Sequence, residues 1–171
     1  MTLLIVSDSH GRVDRLVRLF ELHKRVDALI FLGDGIGDLE RSGAYDSGIT
    51  VFSVKGNCDW NSFLHAERIE NELVLNFEGY RFLLMHGHTR SVKGGLTNAI
   101  YAAMERDADI LLFGHTHEPI EIYMPAESDY SLQKPLRLFN PGSLGASGDG
   151  WGYFGLIEIR GKDILMSHGK I

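Results

Sequence analysis

The sequence has a single cysteine, Cys58, in 171 residues. A lone thiol forms no internal disulfide, and without a thiol cluster neither a zinc finger nor an iron–sulfur site can be built. Positive charge is also short: 17 Lys and Arg stand against 23 Asp and Glu, a formal net charge of −6. That deficit excludes a broad basic nucleic-acid surface, while leaving room for a small anion. No apolar run reaches the roughly 18 residues a membrane helix needs. The N-terminal run 3–6 has no basic flank and passes straight into Ser7-Asp8-Ser9-His10, so it reads as a strand rather than a targeting segment. A cytoplasmic location and no membrane partner are the expectation. The nucleotide-cradling pattern Gly-x-x-x-x-Gly-Lys-Ser/Thr is missing, as are internal repeats and low-complexity tracts. With 44% hydrophobic and 23% charged residues, the composition is that of one folded domain over residues 1–171.

Five short apolar runs organise the chain, at 3–6, 28–32, 49–54, 80–85 and 110–113. Continuous hydrophobicity over four to six residues suits strands covered on both faces. Between the first two, Val13, Leu16, Val17 and Phe20 follow helical spacing, as do Leu96, Ala99, Ile100, Ala103 and Met104 before the fifth. Strand, helix, strand in this order predicts βαβ units and an α/β fold. Residues 73–77 and 80–85 flank Glu78-Gly79 as a hairpin, and the runs 121–124, 136–140, 153–159 and 163–167 read as antiparallel strands. Two packed sheets with helices outside are expected. The Gly- and Ser-rich stretch 142–152 reads as a mobile surface loop.

Histidine is what the sequence has in quantity: eight. The apolar runs end, in order, in Asp8-Ser9-His10, Gly33-Asp34-Gly35, Gly56-Asn57-Cys58-Asp59, His86-Gly87-His88 and His115-Thr116-His117. Groups just past the carboxyl ends of strands converge on one crevice in α/β sheets, so five distant clusters can share a site. In an extended segment i and i+2 project alike, which predicts that Asp8 with His10, and His115 with His117, each present two ligands together. Asp8, His10, Asp34, Asn57, His86, His115 and His117 make seven donors, too many for one ion, so two divalent ions are expected, with one aspartate able to bridge. A nitrogen and oxygen shell without sulfur suits manganese first, with zinc, iron, nickel or cobalt as alternatives, and disfavours magnesium and calcium. Two dications held by about two aspartates attract an anion. Paired ions also generate hydroxide near neutral pH and clamp the oxygens of an in-line displacement at phosphorus, which predicts phosphoester hydrolysis.

Asp-x-His, Gly-Asp, Gly-Asn-x-Asp, Gly-His and Gly-His-x-His, in this order from Asp8 to His117, resemble the calcineurin-like metallophosphoesterase superfamily. Gly56-Asn57-Cys58-Asp59 and the small size are similar to its compact YfcE-type bacterial and archaeal phosphodiesterase branch. The resemblance implies a four-layer αββα sandwich of two mixed sheets flanked by helices. It implies a first metal on Asp8, His10 and His117, a second on Asn57, His86 and His115, and Asp34 as the bridge. Asn57 would also touch the phosphoryl oxygen. Larger members carry, where this chain has Cys58, a histidine that protonates the leaving group; Cys58 is read here as a small buried residue beside the ligands.

Around this set, His88 is assigned a substrate or proton-transfer role, Asp59 the orientation of a neighbouring ligand, and Arg12 and Arg90 contact with the phosphate. Lys93-Gly94-Gly95 reads as a loop, His23, His65 and His168 fall outside the motifs, and Trp60 could wall the site. The expected partner is a small phosphoester, with a homodimer or higher homo-oligomer as the default assembly. A scaffold or binding protein with weak or no catalysis is the alternative. A metallo-β-lactamase arrangement is excluded, because Glu118-Pro119 rather than Asp-His follows the second histidine pair.

Overall fold

The structure, a computed structural model, describes residues 1–59, 69–127, 130 and 132–171. Strands β1 (Thr2–Val6), β2 (Ala28–Phe31) and β3 (Thr50–Ser53) pair in parallel. Helix α1 (Val13–Leu22) links the first two, and α2 (Ile36–Arg41) lies between the second and third. Strands β9 (Tyr153–Arg160) and β10 (Asp163–Lys170) extend this sheet antiparallel beyond β1, in the order β10-β9-β1-β2-β3. The second sheet runs β4-β5-β6-β8-β7, from β4 (Glu72–Phe77), β5 (Tyr80–Met85), β6 (Ile110–Phe113), β7 (Pro119–Met124) and β8 (Leu136–Pro141). The β4–β5 hairpin turns at Glu78-Gly79, as the sequence predicts. Helix α3 (Thr97–Glu105) crosses from β5 to β6.

Three clusters of side chains define four layers. Leu3, Ile5, Ala28 and Ile30 meet Phe82, Leu84, Ile110 and Leu112 between the sheets. Their alternates Leu4, Val6, Leu29 and Phe31 pack under Leu16 and Leu19 of α1 and Ile36 and Leu39 of α2. Leu83, Met85, Leu111 and Phe113 pack under Ala99, Ile100 and Ala103 of α3. Successive strand residues point to opposite faces, and here both faces are covered. That is why the runs read as unbroken hydrophobicity, each fully buried Leu, Ile or Phe being worth about 1.5–3 kcal/mol.

Two expectations are corrected. The later strands are not all antiparallel: β8 pairs in parallel with β6 and antiparallel with β7. The stretch 142–152 is not simply a surface loop, since Gly142, Ser143 and Leu144 are buried. Its amides are committed as well: Leu144 N–H donates to Ser7 O and Gly145 N–H to Asp8 O, both at 3.0 Å, and Ser143 Oγ donates to Asp8 O at 2.9 Å. A Cβ on Gly145 would stand 1.9 Å from the Ser9 carbonyl oxygen, so backbone must move to admit it. Gly145→Ala is therefore expected to destabilise the fold by about 1–3 kcal/mol, read as a lower urea midpoint at unchanged slope.

Candidate metal centre

The parallel strands of both sheets end side by side. Leu32, just past β2, accepts a 2.7 Å hydrogen bond from Nδ1 of His86, just past β5. Five of the seven expected ligands, Asp8, His10, Asp34, His115 and His117, have φ between 43° and 69°. Left-handed backbone costs a residue with a Cβ roughly 1–2 kcal/mol, and such strain gathers where surroundings enforce a functional geometry. It also overturns half of the extended-segment expectation: Asp8 and His10 do share a cluster, but the turned backbone sends His115 and His117 into different ones.

The first cluster joins Asp8, His10 and His117. Asp8 Oδ1 lies 3.6 Å from His10 Nε2 and 3.2 Å from His117 Nε2, and the two imidazole nitrogens are 3.2 Å apart. The second joins Asp34, His86 and His115. His86 Nε2 is 3.2 Å from His115 Nδ1, 3.2 Å from Asn57 Oδ1 and 3.4 Å from Asp34 Oδ2. Nitrogen and oxygen ligands about 2.0–2.2 Å from one ion stand roughly 3.0–3.5 Å from one another, and these separations match. The donor chemistry matches too. With its Nδ1 proton given to Leu32, His86 turns a lone pair toward three further electron-rich atoms. Asp8 Oδ1 is buried and has no hydrogen-bond partner among the described residues. A cation resolves both. Asp34 also groups with His10 and Cys58, so it lies within reach of a residue of the first cluster as well.

The charges agree. Burial works to raise the Asp8 carboxyl, yet the facing His10, His117 and His86 hold it well below the usual carboxylate range. Burial opposes ionisation of Asp34 as well, but His86 and the Cys58 amide bring it down to about 2. Burial, with the neighbouring His86 and Lys93 charges, pushes His115 down to about 4, so its imidazole is neutral and free to ligate.

Behind the ligands lies a scaffold of hydrogen bonds. The Asp59 carboxylate accepts from the amides of Asp34 (2.8 Å), Gly35 (2.9 Å), Ile36 (3.0 Å) and Gly56 (2.8 Å). It thereby ties the Asp34 loop to the Asn57 loop and satisfies the first amides of α2. Four other residues escaped the sequence reading. Ser7 Oγ and the His115 amide hold Asp8 Oδ2, which leaves Oδ1 free. Asp38 accepts from Ser9 Oγ (2.6 Å) and the Gly11 amide (2.7 Å), bracing the His10 loop. Buried Asn140 donates to Gly114 O (2.9 Å) and Thr116 Oγ1 (3.1 Å), bracing the His115 loop. Ser143 holds the Asp8 carbonyl.

The remaining expectations divide. His88 lies beside the second cluster, its ring centroid 5.4 Å from that of His86 and 6.2 Å from that of His115. Cys58 is exposed rather than buried, because its turn projects the side chain outward over Asp34 and His10. Partial burial and the carboxylates of Asp34, Asp59 and Asp8 push its thiol up to about 11. The structure does not bring Arg12 and Arg90 into the cluster. Arg12 grips Asp14 with two bonds of 2.8 and 2.9 Å, and Arg90 Nε donates to Glu72 at 2.6 Å. Trp60 and His65 lie outside the described residues.

Comparison with known proteins places this geometry in context. Residues 1–162 match the calcineurin-like phosphoesterase superfamily domain. A probable metallophosphoesterase of Bacillus subtilis, YsnB, is 37% identical over 118 residues, covering 68% of the chain and 64% of the relative, so the chain spans less than two thirds of that protein's length. Among solved structures, Entamoeba histolytica Vps29 complexed with zinc superposes with a TM-score of 0.72 at 21% identity, over 99% of each chain. An archaeal phosphodiesterase superposes with a TM-score of 0.67 at 20% identity, over 98% of this chain and 99% of that one. At such identities the two likenesses speak for the fold. No helix among the described residues is long and apolar enough to cross a membrane.

Proposed function

The chain belongs to the calcineurin-like phosphoesterase superfamily, and from that premise we propose that it is a phosphodiesterase working through a dinuclear divalent-metal centre. The observation that carries the reading is the pair of ligand clusters, with Asp34 of the second also within reach of His10 of the first. Asp8, His10 and His117 would hold one ion, Asn57, His86 and His115 the other, and Asp34 both. Ions so bound neutralise phosphate charge and supply hydroxide near neutral pH.

The chain's own residues do the rest. Asn57 turns Oδ1 toward His86, and its amide nitrogen, one hydrogen spent on Cys58 Sγ, keeps the other for a phosphoryl oxygen. His88, partly exposed at the rim, donates a ring N–H to the substrate's non-bridging or leaving oxygen. The Asp59 and Asn140 networks hold the donors still, so little reorganisation is needed as charge develops. Arg12 and Arg90 are spent on carboxylates, which suits the single negative charge of a diester better than the double charge of a monoester. The physiological partner is then a small phosphodiester.

The test is turnover by protein stripped of metal and reloaded with Mn2+. Hydrolysis of a bis-aryl phosphodiester is expected to appear with the metal and to exceed that of the matching aryl phosphomonoester. A fully metal-loaded protein that turned over neither ester would leave the scaffold reading in its place.

A further inference from the structure

His88 is held differently from the histidine two residues before it. His86 is aimed by a bond from its Nδ1 to Leu32 O, whereas His88 Nδ1 is buried and has no hydrogen-bond partner among the described residues. The direction of the His88 ring is therefore inherited from the 3-10 turn His88–Arg90 that carries it. That turn is pinned at two points. Just past it, Val92 is buried against Gly87, where a Cβ would stand 2.7 Å from Val92 Cγ2. Within it, Arg90 Nε donates to Glu72 Oε1 at 2.6 Å. Glu72 opens β4 and stands opposite Met85, the residue before His86, so the anchor belongs to the same strand end as the second ligand cluster. Its other carboxylate oxygen meets Arg106 Nη2, just past the end of α3, also at 2.6 Å. With its side chain only 15% exposed, Glu72 is a firmer anchor than a solvated surface ion pair.

We propose that Glu72 is a positioning residue: by holding Arg90 it sets the turn from which His88 donates a ring N–H to the leaving oxygen of the diester. The inference rests on the metal-dependent phosphodiesterase proposed above and assigns the His88 hydrogen bond to the leaving oxygen rather than to a non-bridging one. Negative charge gathers on that oxygen as its bond to phosphorus breaks, and a donor fixed in advance stabilises the charge without having to reorganise. A donor misplaced by about 1 Å loses much of that effect.

Two diesters of equal charge test this in the metal-loaded protein. Bis-nitrophenyl phosphate releases a phenolate stabilised by its nitro group, whereas diphenyl phosphate releases a more basic one that gains more from a hydrogen bond. Arg90→Met, which frees the turn from Glu72, is expected to lower kcat on diphenyl phosphate roughly 10-fold or more and on bis-nitrophenyl phosphate less than about 3-fold, with KM nearly unchanged. Glu72→Ala should show the same selective loss. In a His88→Ala background Arg90→Met should cost nothing further, since the group it aims is gone. Equal or absent slowing on the two esters, or a further loss on top of His88→Ala, overturns the positioning and leaves the phosphodiesterase standing. Wild type that turns over only the nitrophenyl ester does the same, because an assisted leaving oxygen would carry both. Metal-loaded wild type that hydrolyses neither ester overturns both.

Discussion

Asp34→Asn is expected to reduce turnover of a bis-aryl phosphodiester by on the order of 10³-fold, equivalent to about 4 kcal/mol of transition-state stabilisation, in a protein that still folds. Asp34 is 3% exposed; one carboxylate oxygen accepts the Cys58 amide at 2.7 Å and the other faces His86 Nε2 at 3.4 Å. Asparagine keeps the shape and one acceptor, so the Cys58 contact survives. It removes the charge, however, and replaces the second oxygen with an NH2 group that cannot ligate. A residue between two clusters is the one whose loss affects both, so bound metal should fall from two equivalents toward one in elemental analysis, alongside the loss of kcat. Two retained ions and wild-type turnover would remove Asp34 from the bridging position.

Asp59→Ala should be the most damaging change to a residue that touches no ion. Its carboxylate is 2% exposed and accepts four amides from two ligand-bearing loops. Alanine leaves those N–H groups without their acceptor, at about 1–3 kcal/mol for each one that water fails to reach. A total loss of about 3 kcal/mol or more is expected in urea unfolding. Metal affinity should weaken roughly 10- to 100-fold, the usual cost of losing a group that orients ligands. The two readouts separate its roles: stability measured without metal reports on the loops, and the affinity change reports on the alignment of Asp34 and Asn57. Unchanged metal affinity in a destabilised protein would confine Asp59 to folding.

Both predictions draw on residues that differ in how openly the sequence displays them. The ligands are legible because each follows an apolar run, and five polar endings on five apolar runs are a pattern that local turn chemistry does not produce. The layered fold is legible for a related reason, since runs such as 3–6 must be covered on both faces. Asn140 is not legible: it ends an apolar strand, and its partners Gly114 and Thr116 lie 26 and 24 residues earlier. Asp38 sits in α2, six residues long and too short to show a helical stripe. The stretch 142–152 misleads in the opposite direction. Small residues there look like a request for flexibility, yet Gly145 is small because the Ser9 carbonyl occupies the space a side chain would need. Arg12 was readable in part, since Asp14 stands two positions away, whereas the partner of Arg90 lies 18 residues back.

The division of the ligands between the sheets bears on the order in which the protein forms. Asp8, His10 and Asp34 follow strands of one sheet and His86, His115 and His117 follow strands of the other, with His10 and His117 separated by 107 residues of chain. Neither sheet alone holds a complete set, so a half-assembled chain has nowhere to seat an ion firmly. On the proposed reading the centre would be completed only when the two sheets dock, after the entropy of closing long loops has been met by the apolar contacts between them. On the proposed two-ion reading, each ion would tie one sheet to the other like a rivet. Ions bound to the folded chain alone would then stabilise the assembled molecule in proportion to the free metal available.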